Sequence, residues 1–226
     1  MTKPKKNPSL RYDEGCLAAH ALNLIGDRWA LLVVRELMFT AKRFQMIRSG
    51  IPGITASVLT GRLAQLIQAG VIKHEERLSI YTLTEEGKAL LPVLEELCRW
   101  ALKVPGHDPS RFISPTALMI SMGVNLIAER AGSLKASAGF DFDTEAFEMT
   151  LCDGLLTTKA VSKAQTPFVI KGNGNQQAAA VYGPAPLSAL ISKGVVEVTG
   201  DIDEAQTFLS LFELQKSHSA PSKNDR

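Results

Sequence analysis

The 226-residue sequence predicts two domains of different class, a mainly α domain at residues 13–104 and an α+β domain at residues 116–214. In the first domain, apolar residues recur at helical spacing, and two short β-like runs interrupt the pattern. In the second, strand-like runs alternate with helical segments. Residues 105–115 between them contain three prolines and a glycine, the composition of a linker.

Four short helices are predicted to open the first domain. Gly26 separates the first two, and Asp27 is a good N-cap for the second. The sequence Gly50-Ile51-Pro52-Gly53 forms a tight turn before the fourth helix, using Gly and Pro for their backbone preferences. Thr55 caps that helix, which ends at Gly70. The predicted bounds are residues 13–25, 28–38, 42–49 and 56–69.

Two strands and a long helix complete this domain. Residues 71–73 and 80–83 read as strands around a turn near Arg77. Thr84 caps a helix that runs to about Val104, and Pro92 within that helix is expected to bend it. Two helices joined by a tight turn and followed by a two-stranded hairpin are typical of a winged helix-turn-helix.

The second domain is predicted to mix strands and helices. The run Gly172-Asn173-Gly174-Asn175 is interpreted as a hairpin turn, because a phosphate-binding loop needs a GK[ST] signature and a following helix. The acidic residues between positions 141 and 148 are typical of a solvated hairpin. The predicted strands are residues 134–138, 146–151, 157–162, 178–182 and 195–199, and the predicted helices are residues 116–130, 186–192 and 203–211.

Charge is distributed unevenly along the chain. Residues 1–112 contain 16 Lys and Arg against 11 Asp and Glu, a net of +5, whereas residues 113–226 contain 9 against 12, a net of −3. Between Met38 and His74 there is no acidic residue, and five residues are basic. Because carboxylates would repel phosphate, this stretch predicts a polyanion-binding surface. Only the first domain is suited to double-stranded DNA.

The fourth helix is the predicted recognition helix, which would dock in the major groove. Its outward side chains are small and polar and can read base edges, and Arg62 can pair with guanine or phosphate. The alternative is a merely solvated face, but such a face normally includes Glu, and this one has no acid. The predicted DNA-binding residues are Arg43, Arg48, Thr55, Ser57, Thr60, Gly61, Arg62, Gln65 and Arg77.

A series of spaced motifs runs through residues 14–104. They are Cys16-x8-Ile25-Gly26-Asp27-Arg28-Trp29, Arg35-Glu36-Leu37, Arg43-Phe44, Ile51-Pro52-Gly53-Ile54, Leu59-x-x-Arg62-Leu63-x-x-Leu66-x-x-Ala69-Gly70 and Tyr81-x-Leu83-Thr84-x-x-Gly87, followed by Pro92 and Trp100. Together they resemble the HxlR family of bacterial transcription regulators. The sequence departs from the family in a shorter wing that carries Glu75 and Glu76, and in Gly61, where members often have a basic residue.

The resemblance implies a homodimer, built by the first and last helices of the domain, that binds a two-fold DNA site. The predicted dimer interface consists of Leu17, Leu94, Leu97 and Trp100. Cys16 stands at the family's cysteine position, where some relatives use the thiol to sense oxidants, and a helix N-terminus lowers a thiol's pKa. Cys16 is therefore the redox candidate, and an inert cysteine is the alternative.

The second domain also shows a resemblance, over about residues 114–214. Strands are followed by Ala185-x-Leu187-x-x-Leu190-Ile191, then by Gly194-Val195-Val196-Glu197-Val198-Thr199-Gly200-Asp201 and an amphipathic helix. This pattern is similar to sterol-carrier-type domains, which implies an apolar cavity for a lipid-like or aromatic ligand. The alternative is an ordinary core. The candidate cavity residues are Leu118, Met119, Met122, Leu126 and Phe212.

Cysteine and histidine usage argues against several other classes of protein. The three cysteines are far apart and the four histidines are scattered, so neither a disulfide scaffold nor a metal site nor a cofactor is predicted. The longest apolar run is too short to span a bilayer, and a cytoplasmic protein is expected.

The predicted function is DNA-binding transcriptional regulation, controlled by a small apolar ligand or by thiol chemistry, and not catalysis. One alternative is carrier or enzyme activity in the cavity of the second domain. Another is a winged helix that serves protein contacts, and the acid-free stretch speaks against it.

Overall fold

The computed structural model describes residues 11–214, and its first domain is a winged helix-turn-helix. Thr55 Oγ1 accepts a hydrogen bond from Val58 N, as expected of the N-cap of the recognition helix. Gly53 and Gly70 have φ values of +84° and +72°, which other residues rarely adopt. The elements are α1 (Leu17–Ile25), α2 (Ala30–Glu36), β1 (Lys42–Arg43), α3 (Phe44–Ser49), α4 (Ala56–Gln68), β2 (Ile72–Glu75), β3 (Ile80–Leu83), α5 (Glu85–Lys88) and α6 (Leu91–Ala101).

The predicted helices of this domain have different bounds in the structure. The first begins at Leu17 and not at residue 13, and the second spans Ala30–Glu36 and not residues 28–38. Lys42 does not begin α3, because Lys42 and Arg43 form β1, which pairs antiparallel with Tyr81 and Ile80 of β3. The single long helix predicted after Thr84 is two helices, α5 and α6. Pro92 lies in the first turn of α6, where its missing N–H leaves no hydrogen bond unmade, so it helps to begin a helix and does not bend one.

The second domain is an α+β fold around a five-stranded sheet with strand order β6-β5-β4-β7-β8. Neighbouring strands are antiparallel except β4 and β7, which are parallel. The elements are α7 (Pro115–Val124), α8 (Ala128–Ala131), β4 (Ala136–Asp141), β5 (Ala146–Cys152), β6 (Leu155–Val161), β7 (Phe168–Lys171), α9 (Gly174–Tyr182), α10 (Leu187–Ser192), β8 (Glu197–Gly200) and α11 (Ile202–Leu209).

The largest error of the sequence analysis lies around α9. Residues 178–182 are helical, and the strand predicted there is wrong. Asn173 and Gln176 form a reciprocal capping box, in which each side chain accepts a hydrogen bond from the other residue's backbone N–H. The run at residues 172–175 is therefore the start of a helix and not a hairpin turn, and β7, which precedes it, was not predicted.

Each domain has its own apolar core, and the two domains also pack against each other. Ile120 of α7 is buried in the core of the first domain. The rings of Phe39 and Phe147, one from each domain, meet edge to face with centroids 6.2 Å apart. Residues 102–113, called the linker below, join α6 to α7 across this junction.

A buried ion cluster lies at the domain junction. The Nζ atom of Lys42, whose side chain is 1% exposed, is 3.1 Å from Glu36 Oε2 and 2.7 Å from Glu145 Oε1 of the second domain. Lys42 also donates to Thr116 Oγ1 at 3.0 Å, and Ser114 Oγ donates to Glu36 Oε1 at 2.6 Å. The expectation that Glu145 belongs to a solvated hairpin is therefore wrong.

Candidate nucleic-acid interface

The two faces of α4 have opposite characters. Leu59, Leu63 and Leu66 are buried in the core of the first domain. The opposite face exposes the small and polar side chains that the sequence singled out, namely Ser57, Thr60, Gly61 and Gln65. Gly61 has no heavy atom within 4 Å of where a Cβ would stand, so a surface can approach the backbone closely at this point. This face has the shape and polarity that base-edge contacts require.

Arg62 is less available than the sequence suggested. Its Nη2 atom is 2.9 Å from Asp27 Oδ2, and its side chain is 18% exposed. Its Nη1 atom donates to Gln65 Oε1, on the same helix. Asp27 precedes α2 and also accepts from Trp29 N at 3.0 Å. The ion pair therefore fastens α4 to the junction of α1 and α2, a positioning role that the motif spacing did not reveal.

Further cations flank the recognition helix. Arg43 and Arg48 lie at the two ends of α3 with exposed side chains, and Arg77 is exposed in the turn between β2 and β3. Thr55 is exposed at the N-cap of α4. Lys42, which counted toward the acid-free basic stretch, is buried in the ion cluster and contributes nothing to this surface. The exposed basic surface next to α4 is therefore carried mainly by Arg43, the N-cap residue of α3, and by Arg48 in the last turn of α3.

The predicted dimer residues differ in their exposure to solvent. Leu17, Leu97 and Trp100 are exposed, and the Trp100 side chain is 63% exposed despite its size. Leu94, in contrast, is 6% exposed and belongs to the core of its own domain. The prediction that Leu94 is buried against a second copy of the chain is wrong, because Leu94 is already buried in the core of its own domain.

Cys16 occupies the N-cap position of α1 and is exposed. The backbone N–H groups of Ala19 and Ala18 in the first turn of α1 lower the pKa of its thiol, because they favour the thiolate. Burial raises the pKa of the Cys98 thiol, and a hydrogen bond to the Asp153 carboxylate raises that of Cys152. Of the three cysteines, Cys16 is the one set up for thiolate chemistry.

The predicted cavity of the second domain is filled. Leu118, Met119 and Met122 are at most 1% exposed within the apolar core. The ring of Phe208 lies 5.9 Å from that of Phe168 and 5.3 Å from that of Phe212, centroid to centroid. Leu126 packs against the same core, and Phe212 also lines a surface pocket of about 260 Å³. These residues belong to the ordinary apolar core of the domain, as the alternative interpretation predicted.

Residues 11–214 show neither a candidate metal site nor a single helix able to span a membrane. Their His, Cys, Asp and Glu side chains form no group of three or more that could hold a metal ion. None of their helices alone has the length and composition to cross a membrane. Helices α1 and α2 pass that test only as a pair, bent by 71°.

Comparison with known proteins places this geometry in a family. Residues 24–108 match the family model described as HxlR-like helix-turn-helix. YvaP of Bacillus subtilis, an uncharacterized HTH-type transcriptional regulator, is 37% identical over 95 residues, which are 40% of this chain and 86% of YvaP. The chain belongs to the HxlR family. It is thus a helix-turn-helix transcriptional regulator, and α4 belongs to its winged helix-turn-helix domain.

The HxlR part of the chain has further relatives. The HTH-type transcriptional regulator YodB of B. subtilis is 38% identical over 86 residues, covering 36% of this chain and 77% of YodB. The crystal structure of quinone-bound YodB covers 37% of this chain and 93% of that chain at 39% identity, with a TM-score of 0.35. The second half is different, because residues 107–218 match the family model of the alkyl sulfatase C-terminal domain.

Proposed function

We propose that this HxlR regulator binds a two-fold DNA site as a homodimer and that its second domain acts as an effector module. The observation that carries the DNA contact is the exposed, acid-free face of α4 beside Arg43 and Arg48. Small polar side chains on that face suit base edges, and the arginines suit the phosphate backbone. A protein with this role works in the cytoplasm, where bacterial DNA lies.

The dimer rests on the apolar side chains that α1 and α6 leave uncovered. Leu17, Leu97 and Trp100 are large and exposed, and Leu22 and Val93 on the same two helices are exposed as well. Val93, Leu97 and Trp100 recur at i, i+4 and i+7 and so share one face of α6, and exposed apolar faces mark protein contacts. A second copy of the chain fits because a two-fold dimer would present two recognition helices to two half-sites.

Control of DNA affinity has two candidate sources. The second domain contacts the base of the wing through the Lys42–Glu145 pair, and Lys42 is hydrogen-bonded in β1 to the wing strand β3. A ligand that shifts the second domain would therefore shift the wing. The other source is Cys16, whose exposure and lowered pKa favour reaction with oxidants or electrophiles.

We assign the second domain to regulation and not to catalysis, although the alkyl sulfatase C-terminal family takes its name from enzymes. Glu145, a carboxylate that the enzyme alternative would need, is engaged with Lys42 at the domain junction. The interior that a carrier would use is filled by aromatic and apolar side chains.

Binding measurements on the full chain test the DNA interface. Duplexes selected from a random library supply the operator, and fluorescence anisotropy at two salt concentrations supplies affinities. Gln65→Ala should weaken the selected site by about 1–3 kcal/mol and relax its specificity at one position of each half-site. Arg43→Ala should weaken all sequences alike and flatten the salt dependence. Lys193→Ala, an exposed cation of the second domain, is the matched control. Wild-type affinity in both test variants would place the interface elsewhere.

A further inference from the structure

A pocket of about 420 Å³ lies between the linker and helices α7 and α9. Its volume falls within the range of about 300–1,000 Å³ typical of small-molecule sites. The pocket differs from the interior cavity that the sequence implied, because it lies outside the filled core. Its apolar wall consists of Phe112, Ile113, Ala178, Tyr182 and Leu214.

The linker wall of the pocket is fixed in place by α9. Asn175 Oδ1 accepts a hydrogen bond from Ile113 N at 3.2 Å, and Asn175 Nδ2 donates to Arg111 O at 2.9 Å. Gly174 allows this close approach, because a Cβ there would clash with Ile113 O. The pocket is therefore formed before any ligand arrives, as is usual for small-molecule sites.

Two hydroxyl groups on the pocket lining, those of Ser121 and Tyr182, have two hydrogens but only one hydrogen bond between them. Ser121 Oγ and Tyr182 Oη are 2.9 Å apart, and each carries one hydrogen, of which only one can lie between them. The Asn125 amide does not accept the other hydroxyl hydrogen. The amide atom that faces Ser121 is Nδ2, which is a donor and lies 2.9 Å from Ser121 O and 3.4 Å from Ser121 Oγ. The second hydroxyl hydrogen thus has no acceptor among residues 11–214. Burial raises the pKa of Tyr182, so the phenol keeps its proton.

The charged side chains at the rim of the pocket neutralise each other. Arg111 Nε is 3.2 Å from Asp108 Oδ2, and Asp108 Oδ1 accepts from Ser110 N and Oγ. His107 also lines the rim. Since neither charge is left without a partner, the rim offers an ionic ligand no strong attraction, and the apolar wall favours an uncharged one.

We propose that this pocket binds an uncharged aromatic or alicyclic compound of one or two rings whose carbonyl oxygen accepts the spare hydroxyl hydrogen of the Ser121–Tyr182 pair. The rings lie against Phe112, Ala178 and Leu214. The inference names the ligand class for the effector control proposed above, and it depends on that proposal only for the regulatory consequence. The route to the first domain is short, because α7 carries Ser121 and also places Ile120 in the core of that domain.

Ligand-observed NMR on the full chain tests the pocket, with acetophenone and ethylbenzene as probes. The two molecules have nearly the same shape, and only acetophenone has the acceptor oxygen. Acetophenone should bind about three- to tenfold more tightly, the value of one net hydrogen bond. Ala178→Leu should weaken acetophenone binding by about tenfold or more, because the longer side chain occupies the wall against which the rings lie. Ala179→Leu, at the exposed neighbouring position of α9, should leave that binding unchanged.

A second test removes the two hydroxyl groups one at a time and together, and it does not depend on blocking the pocket. Ser121→Ala and Tyr182→Phe each leave one hydroxyl hydrogen, so each single variant should keep the preference for acetophenone. The double variant has none and should bind both probes alike. Equal binding of the two probes by the unsubstituted chain, or acetophenone affinity unchanged by Ala178→Leu, overturns the inference. Binding as predicted without a change in operator affinity supports the pocket and refutes only the ligand control proposed above.

Discussion

Replacing Glu145 by Gln perturbs the contact between the two domains with almost no change in shape. Glu145 closes a cluster of four charges with Arg35, Glu36 and Lys42, and these charges sum to zero. The two Glu145 oxygens lie 2.7 and 2.9 Å from Lys42 Nζ. A glutamine can still accept one hydrogen bond but carries no charge. The variant therefore leaves one carboxylate, Glu36, facing the buried Lys42 and the partly exposed Arg35.

The burial of this cluster sets the size of the effect. Removing one partner of a buried ion pair destabilises a protein by about 3–5 kcal/mol. Burial raises the pKa of Glu145, so part of the desolvation penalty disappears together with the charge. The raised pKa means that, at neutral pH, the charge of Glu145 costs the folded chain more in desolvation than Lys42 offsets. We therefore expect Glu145→Gln to show no loss in the free energy of unfolding, in contrast to the loss of about 3–5 kcal/mol that a charge holding the cluster together would produce.

Urea denaturation of the full chain at neutral pH measures this difference. Asp143→Asn is the matched control, because Asp143 lies in the same hairpin, its side chain is 69% exposed, and its one ion pair within residues 11–214, to Lys171, is long at 3.8 Å. Its φ of +65° is one that asparagine tolerates well. The control should unfold as the unsubstituted chain does. A Glu145→Gln variant less stable than this control by about 3 kcal/mol or more would refute the reasoning, because it would show that the charge of Glu145 stabilises the folded chain.

The stability of Glu145→Gln should also depend on pH differently from that of the unsubstituted chain. Because the pKa of Glu145 is raised in the folded state, the folded chain binds more protons than the unfolded chain between the ordinary glutamate pKa and the raised one. Stability from this group is thus fully present below the ordinary pKa and is lost as pH rises through the raised value. Comparing urea midpoints across that window should show a decline in the unsubstituted chain that Glu145→Gln lacks. Parallel pH profiles would contradict this account.

Three further predictions concern DNA binding and assembly. Trp100→Ala should change the stability of the monomer by less than about 0.5 kcal/mol, since the side chain is 63% exposed, yet sedimentation should show the loss of the dimer. Asp27→Asn and Arg62→Ala should weaken operator binding to a similar degree if Arg62 acts by positioning α4, whereas an effect of Arg62→Ala alone would indicate a direct DNA contact. Cys16→Ser should abolish any response of operator affinity to a thiol oxidant, and an undiminished response would exclude the thiol switch.

The sequence by itself determined those features that depend on neighbouring residues. The Thr55 cap, the left-handed Gly53 and Gly70, the strand pair of the wing and the exposed face of α4 all follow from local backbone preferences and helical periodicity. The errors at Pro92 and Asn173 were of the same local kind. Both residues carry recognisable helix-start signals, a proline in the first turn and a capping box.

Only the tertiary structure decided which polar groups meet. Lys42 and Glu145 are 103 positions apart in the sequence, and Ser121 and Tyr182 are 61 apart, so no spacing pattern could pair them. Periodicity tells which face of a helix is apolar, but it does not tell which element covers that face, and for this reason Leu94 was assigned to the wrong partner. A charge counts toward a binding surface only if packing leaves it exposed, and packing withdrew Lys42 and most of Arg62 from the surface of this regulator.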